Sequence, residues 1–96
     1  MSLPAARAET IRQRIAETFA PIRCQLQDES AAHAGHAGAA SGGSHFRLHL
    51  VSAHFEGLSR VQRHRLVYDC LRDMMLTEIH ALALVTEAPS EVRGAE

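Results

Sequence analysis

The sequence contains no lysine, so arginine supplies all ten basic side chains, a bias read here as codon usage rather than function. Eleven acidic residues leave a formal net charge of −1, which excludes a general attraction to nucleic acid or to an anionic membrane surface. Cysteine is scarce: Cys24 and Cys70 form no CxxC pair and no disulfide framework, an economy suited to a reducing cytosol. No apolar run approaches the roughly 20 residues that a membrane-crossing helix needs. The opening Met1-Ser2-Leu3-Pro4 lacks the basic flank and apolar stretch of a signal peptide, so a cytoplasmic location without membrane contact is expected. At 96 residues the chain makes one small domain, with too little interior to enclose a deep substrate pocket.

Histidine is what the chain has in quantity. Seven imidazoles make its charge and metal affinity respond to pH near neutrality. Two of them lie in Ser30-Ala31-Ala32-His33-Ala34-Gly35-His36-Ala37-Gly38, where the remaining side chains are too small to build a core. Strong chemistry in that stretch belongs to the imidazoles alone, which points to ligand or partner binding.

The periodicities place this stretch between two strands. Ile11, Ile15 and Phe19 fall four residues apart and predict a helix over 8–19, stopped by Pro21. Ile22, Cys24 and Leu26 alternate with polar residues, the pattern of a half-buried strand. Residues 30–44 are too small and polar to repay ordering and read as a mobile loop. A second strand over 45–52 points Phe46, Leu48 and Leu50 inward, and hairpin pairing of the two strands is the simplest topology. Phe55-Glu56-Gly57-Leu58 turns the chain, and Ser59 with Gln62 forms a capping-box signal for a second helix. There Val67, Leu71, Met74 and Met75 share an arc with His64, opposite Gln62, Arg65, Asp69 and Arg72. A short extra helical turn fits 72–77, a third strand fits 79–86, and Pro89 ends it. Residues 90–96 read as a frayed tail. The expected class is α+β, helices on one face of a three-stranded sheet.

The segments Asp28-Glu29-Ser30, His33-Ala34-Gly35-His36, His45-Phe46-Arg47, Phe55-Glu56-Gly57-Leu58-Ser59, Val61-Gln62-Arg63-His64-Arg65-Leu66-Val67 and Ile79-His80-Ala81-Leu82-Ala83-Leu84, in this order and spacing, resemble the BolA family. The match runs from about Glu9 to Pro89. It implies an αββαβ fold related to the type II KH domain over residues 8–89, with 1–7 an N-terminal extension and 90–96 a C-terminal tail. It further implies a non-enzymatic protein that pairs with a monothiol glutaredoxin and shares a 2Fe-2S cluster, in cluster trafficking or iron regulation. Some members are described as DNA-binding transcriptional regulators, which is the alternative function.

Metal chemistry points the same way from the residues themselves. A 2Fe-2S cluster needs four ligands, and two histidines can replace two cysteines on one iron. With histidines but no cysteine cluster, this chain supplies at most half a site and a partner supplies thiolates, which fits a glutaredoxin cysteine and a glutathione sulfur. No cofactor is expected in the isolated chain, which should be a monomer or a weak homodimer. The resemblance assigns His80 as the C-terminal ligand and His33 as the loop ligand. His36, three residues on, can reach the same metal, and both loop imidazoles can equally be solvated and without a role. His80 has a rival reading too: strand parity sets it beside Leu82 and Leu84, where a lone histidine is more often structural. A zinc site from His33, His36 and His80 alone is a third alternative.

The other candidates carry less. His64 reads as structural, bonded near the helix start, and His45, His49 and His54 as solvated. Cys24 reads as a small buried residue, Cys70 as the edge of the apolar arc, and neither has catalytic company. Arg60, Arg63 and Arg65 at the second helix start make a candidate phosphate clamp, with Arg47 and Arg72 as neighbours. Pairing of Arg65 and Arg72 with Asp69 would neutralise part of that charge, leaving a solvated face or a glutaredoxin-docking surface as the competing reading. Gly35-His36-Ala37-Gly38 spells the GxxG of KH domains but joins two strands instead of two helices, so the match is read as accidental.

Overall fold

The structure, a computed structural model, describes residues 3–29 and 44–92. His33, His36 and the GxxG sequence therefore lie outside the described residues. The element order is helix α1 (Leu3–Phe19), strand β1 (Arg23–Asp28), strand β2 (Ser44–Val51), helix α2 (Arg60–Cys70), helix α3 (Arg72–Thr77) and strand β3 (Ile79–Glu87), with 3₁₀ turns at Ala53–Phe55 and Pro89–Glu91. The expected α+β class and αββαβ order are both present, and the extra helical turn is α3.

The predicted helix over 8–19 begins five residues earlier, at Leu3. Pro4 sits in its first turn, where a missing N–H costs nothing. Arg7, on that added turn, donates to Ser44 Oγ at 2.9 Å. Ala8, Ile11, Ile15 and Phe19 then form the buried stripe. Ala20 leaves the helix in a left-handed conformation (φ 42°), ahead of Pro21.

β1 and β2 pair antiparallel, with Leu26 opposite Leu48, and β2 pairs in parallel with β3, so β2 is the central strand. A parallel pair needs a crossover, which α2 and α3 provide. The break between those helices falls at Leu71, whose N–H reaches both Val67 O (3.1 Å) and Tyr68 O (3.2 Å). Ser59 and Gln62 form the predicted capping box, with bonds of 3.1 and 2.8 Å.

All helices cover one face of the sheet. Phe46, Leu48 and Leu50 from β2 and Ile79 and Leu82 from β3 meet the α1 stripe together with Val67, Leu71 and Met74. Burying about a dozen such side chains, at roughly 1.5–3 kcal/mol each, is the main driving force of the fold. Ser52 locks the far end: its hydroxyl donates to Phe19 O at 2.7 Å and accepts from the His54 amide at 3.1 Å. Among the described residues nothing packs over the opposite face of the sheet, along which Gln25, Gln27, Arg47 and Val85 are exposed.

One strand reading and the reading of the tail differ from the structure. Ile22 is 71% exposed, because its amide bonds Val51 O as the chain enters the sheet and the alternation starts only at Arg23. The chain past Pro89 is tied down rather than frayed at its start: Ser90 bonds Glu56, and Glu91 bonds Arg63.

Candidate functional site

The start of β3 departs from strand parity. Ser44 pairs with Ile79, but the next residue, His45, pairs with Ala81, so His80 is the extra residue of a bulge. Ile79 is buried, His80 and Ala81 are both exposed, and Leu82 is buried again. A bulge re-aims the side chain it carries. This overturns the expectation that His80 shares the side of Leu82 and Leu84: its ring is presented to solvent from a rigid strand end.

Beneath it lies His45, expected to be solvated and found 8% exposed. The two imidazoles stack with centroids 5.0 Å apart and planes tilted by 42°. The surrounding sheet end is densely bonded. The Glu29 amide donates to His45 O at 2.7 Å, the Ser44 amide donates to Glu78 O at 3.1 Å, and Arg47 Nε reaches Glu29 Oε2 at 3.1 Å. Glu29 and Ser44, between which the segment with His33 and His36 runs, thus both attach at the end that carries His80. Among the described residues no three His, Cys, Asp or Glu side chains come together as a metal site. The donor set present here is one exposed imidazole, His80, backed by another, His45, and it can offer a nitrogen donor to a metal.

The remaining histidines divide. His49, also expected to be solvated, is half-buried on the sheet face away from the helices, with Nε2 2.5 Å from Glu87 Oε1. His54 is exposed, edge-on to Phe19 at 6.3 Å. His64 is half-buried in a shallow groove with Arg60, Leu84 and Glu87. The inward, bonded position at the start of α2 that the sequence assigned to His64 belongs instead to Arg63.

Arg63 is 7% exposed. Its guanidinium donates to Glu91 Oε1 and Oε2 at 2.6 and 2.9 Å, to Thr86 O at 3.2 Å and, through Nε, to Leu58 O at 3.0 Å, and it lies 5.9 Å from the Phe55 ring centroid. The arginine fork, with a further bond from the Ala88 amide, holds the Glu91 carboxyl down at about 2. A guanidinium with its donors so committed cannot also clamp phosphate, so only Arg60 and Arg65 of the proposed trio stand exposed on α2. The signal was available: Arg63 precedes Val67 by four residues and Leu71 by eight, which is the core stripe. Arg47 and Arg72 are engaged with Glu29 and with Asp69 (3.4 Å). Of the cysteines, Cys24 is half-buried, and burial raises its thiol pKa. Cys70 Sγ sits 3.4 Å from Thr18 Oγ1 and 3.7 Å from Arg14 O.

Residues 15–91 match the family described as BolA-like protein. The chain belongs to the BolA-like family. It is 41% identical over 88 residues to the chloroplastic protein BOLA1 of Arabidopsis thaliana, covering 88% of this chain and 55% of that protein. It is 37% identical over 86 residues to the DNA-binding transcriptional regulator BolA of Escherichia coli, covering 90% of this chain and 79% of that protein. The solved BolA domain of SufE1 from Arabidopsis thaliana superposes with a TM-score of 0.81 at 41% identity, over 90% of this chain and 95% of that one. The chain spans between a quarter and about half the length of the first plant relatives it matches. No helix among the described residues is long and apolar enough to cross a membrane.

Proposed function

We propose that this BolA-like chain is a non-enzymatic adaptor that pairs with a monothiol glutaredoxin and shares a 2Fe-2S cluster, as cargo or as an iron signal. His80 is its fixed ligand, and His33 or His36 the second. The observation that carries this reading is the bulge that turns His80 outward at the sheet end where the loop bearing His33 and His36 is attached. Only three residues lie between Glu29 and His33, so His33 stays within about 14 Å of that sheet end. The described residues hold no complete ligand set. Thiolates from the partner and from glutathione therefore complete the site, and the imidazoles supply neutral nitrogen donors to one iron.

The test is to purify the chain with a glutaredoxin and glutathione under iron-replete anaerobic conditions and to record visible absorption. A coloured stoichiometric complex supports the adaptor. A colourless complex binding zinc through His33, His36 and His80 refutes it.

The name of the Escherichia coli relative supports a second reading, DNA binding, for which the exposed arginines of α2 are the candidate contacts. Here it rests on Arg60 and Arg65, because Arg63 is committed to the interior.

A further inference from the structure

We infer that the outer edge of β1 docks a second copy of this chain, joining two three-stranded sheets about a two-fold axis into one of six strands. The two edges of the sheet differ. Along β3, the Tyr68 hydroxyl donates to Leu82 O at 3.3 Å and Arg63 donates to Thr86 O at 3.2 Å, so α2 covers that edge. β1 is the other edge. Glu29 and His45 stand opposite each other and are joined by a hydrogen bond. The alternation of an antiparallel ladder then turns the amides of Gln27, Gln25 and Arg23 toward β2, and those of Cys24 and Leu26 outward. Among the described residues nothing bonds these outward groups. Of the devices by which natural edges refuse a partner, β1 has its shortness and one inward-facing charge, Asp28, at its end; within the strand there is no proline and no bulge against β2, and Arg23 sits at the opposite end.

The strand's own pattern selects the occupant. Cys24 and Leu26, whose backbone groups point outward, are also the half-buried residues packed against the core. Two identical antiparallel strands related by an axis normal to the sheet pair such residues with each other, which leaves both helix layers on one side. Pairing Cys24 with Leu26 of the second copy, and Leu26 with its Cys24, forms four main-chain bonds. It also sets the two Gln25 side chains face to face on the axis and Arg23 opposite Gln27. Apolar meets apolar on the inner face and amide meets amide on the outer. Sliding one step one way places Asp28 opposite Cys24 on the inner face; sliding the other way pairs Leu26 with Ile22, outside the strand. A slip by a single residue throws the side chains to the wrong faces.

So short an edge buries well under the ~1,200 Å² of stable interfaces, so the pairing is weak and depends on concentration. Sedimentation equilibrium of the full chain, raised to about 2 mM, should show the mass climbing from one copy toward two. In a Cys24→Ser, Cys70→Ser background, Gln25→Cys should form a disulfide dimer on mild oxidation. A directly opposed, non-bonded pair sets its Cα atoms about 4.5 Å apart, within disulfide reach. Gln27→Cys, about 13 Å from its counterpart in this register, should stay unlinked. Leu26→Lys, with an unchanged circular dichroism spectrum, should remain a single copy throughout; if that variant unfolds, the cysteine pair decides. One mass at every concentration overturns the proposal, as does cross-linking of Gln27→Cys in preference to Gln25→Cys.

Discussion

Arg63 and Glu91 meet fork to fork, in two nearly parallel hydrogen bonds of 2.6 and 2.9 Å that pin the 3₁₀ turn after β3 onto the first turn of α2. The arginine is buried and the carboxylate half exposed. Removing the arginine therefore does more damage than removing the acid, since it also unpairs Leu58 O and Thr86 O and uncovers Phe55. Arg63→Met should destabilise the domain by on the order of 1–3 kcal/mol in denaturant unfolding, and Glu91→Gln by clearly less. Equal effects would mean that the carboxylate, not the carbonyl bonds, is what Arg63 serves.

The same pair sets an acid limit. Glu91 is held at about 2, against an ordinary carboxyl value of 4.5, first by the Arg63 fork, and Asp73 is likewise held at about 2, against 3.8, first by its bonds to Arg14. A carboxyl whose folded pKa is depressed stabilises the fold fully above its unfolded pKa and loses that contribution as pH falls through the folded one. Stability should therefore decline from about pH 5 toward pH 2. The Glu91→Gln, Asp73→Asn double variant should show a flatter decline across that window in urea unfolding at each pH. An unchanged slope would assign acid sensitivity to other carboxylates.

His80→Ala should leave the far-ultraviolet spectrum intact, because the ring projects from a bulge and fills no core space. It should also make the mixed complex with a glutaredoxin lose its visible cluster spectrum. His33→Ala and His36→Ala then separate the two loop candidates: the true ligand's loss should bleach or shift the spectrum, and the other's should not. A cluster spectrum indifferent to His80→Ala would remove that residue from the site.

Much of this was legible from spacing, and the failures have physical causes. The inward stripes of α1, β2 and α2 are regular, so Ile11, Ile15, Leu48, Val67 and Met74 fall where their periods put them. Family resemblance singled out His80, but strand parity turned it the wrong way, since a bulge inserts one residue and reverses the alternation with no composition signal of its own. His45, one residue from that irregularity on the partner strand, was misplaced with it. The charge of Arg63 suggests a phosphate contact, but its position on the Val67 and Leu71 stripe marks it as inward. Its carboxylate partner lies 28 residues away in a 3₁₀ turn, a distance at which helical periods say nothing.

Any DNA binding should be weak, salt-dependent and little sensitive to sequence, and the structure fixes how much of it α2 can supply. Each phosphate contact contributes a slope of about −0.9 in log affinity against log salt concentration. With Arg63 committed to Glu91 and two carbonyls, only Arg60 and Arg65 of the trio can contribute. Arg60→Gln with Arg65→Gln should flatten the slope by about two units while the fold and the iron complex survive. Arg63→Gln should instead lower stability with no direct change of slope in the fraction that remains folded. Titration of a short duplex at several salt concentrations, with thermal melting of each variant alongside, separates the two effects. A slope unchanged in the double variant would place the contact on another element. Tight, sequence-selective binding at physiological salt would put the regulator ahead of the adaptor.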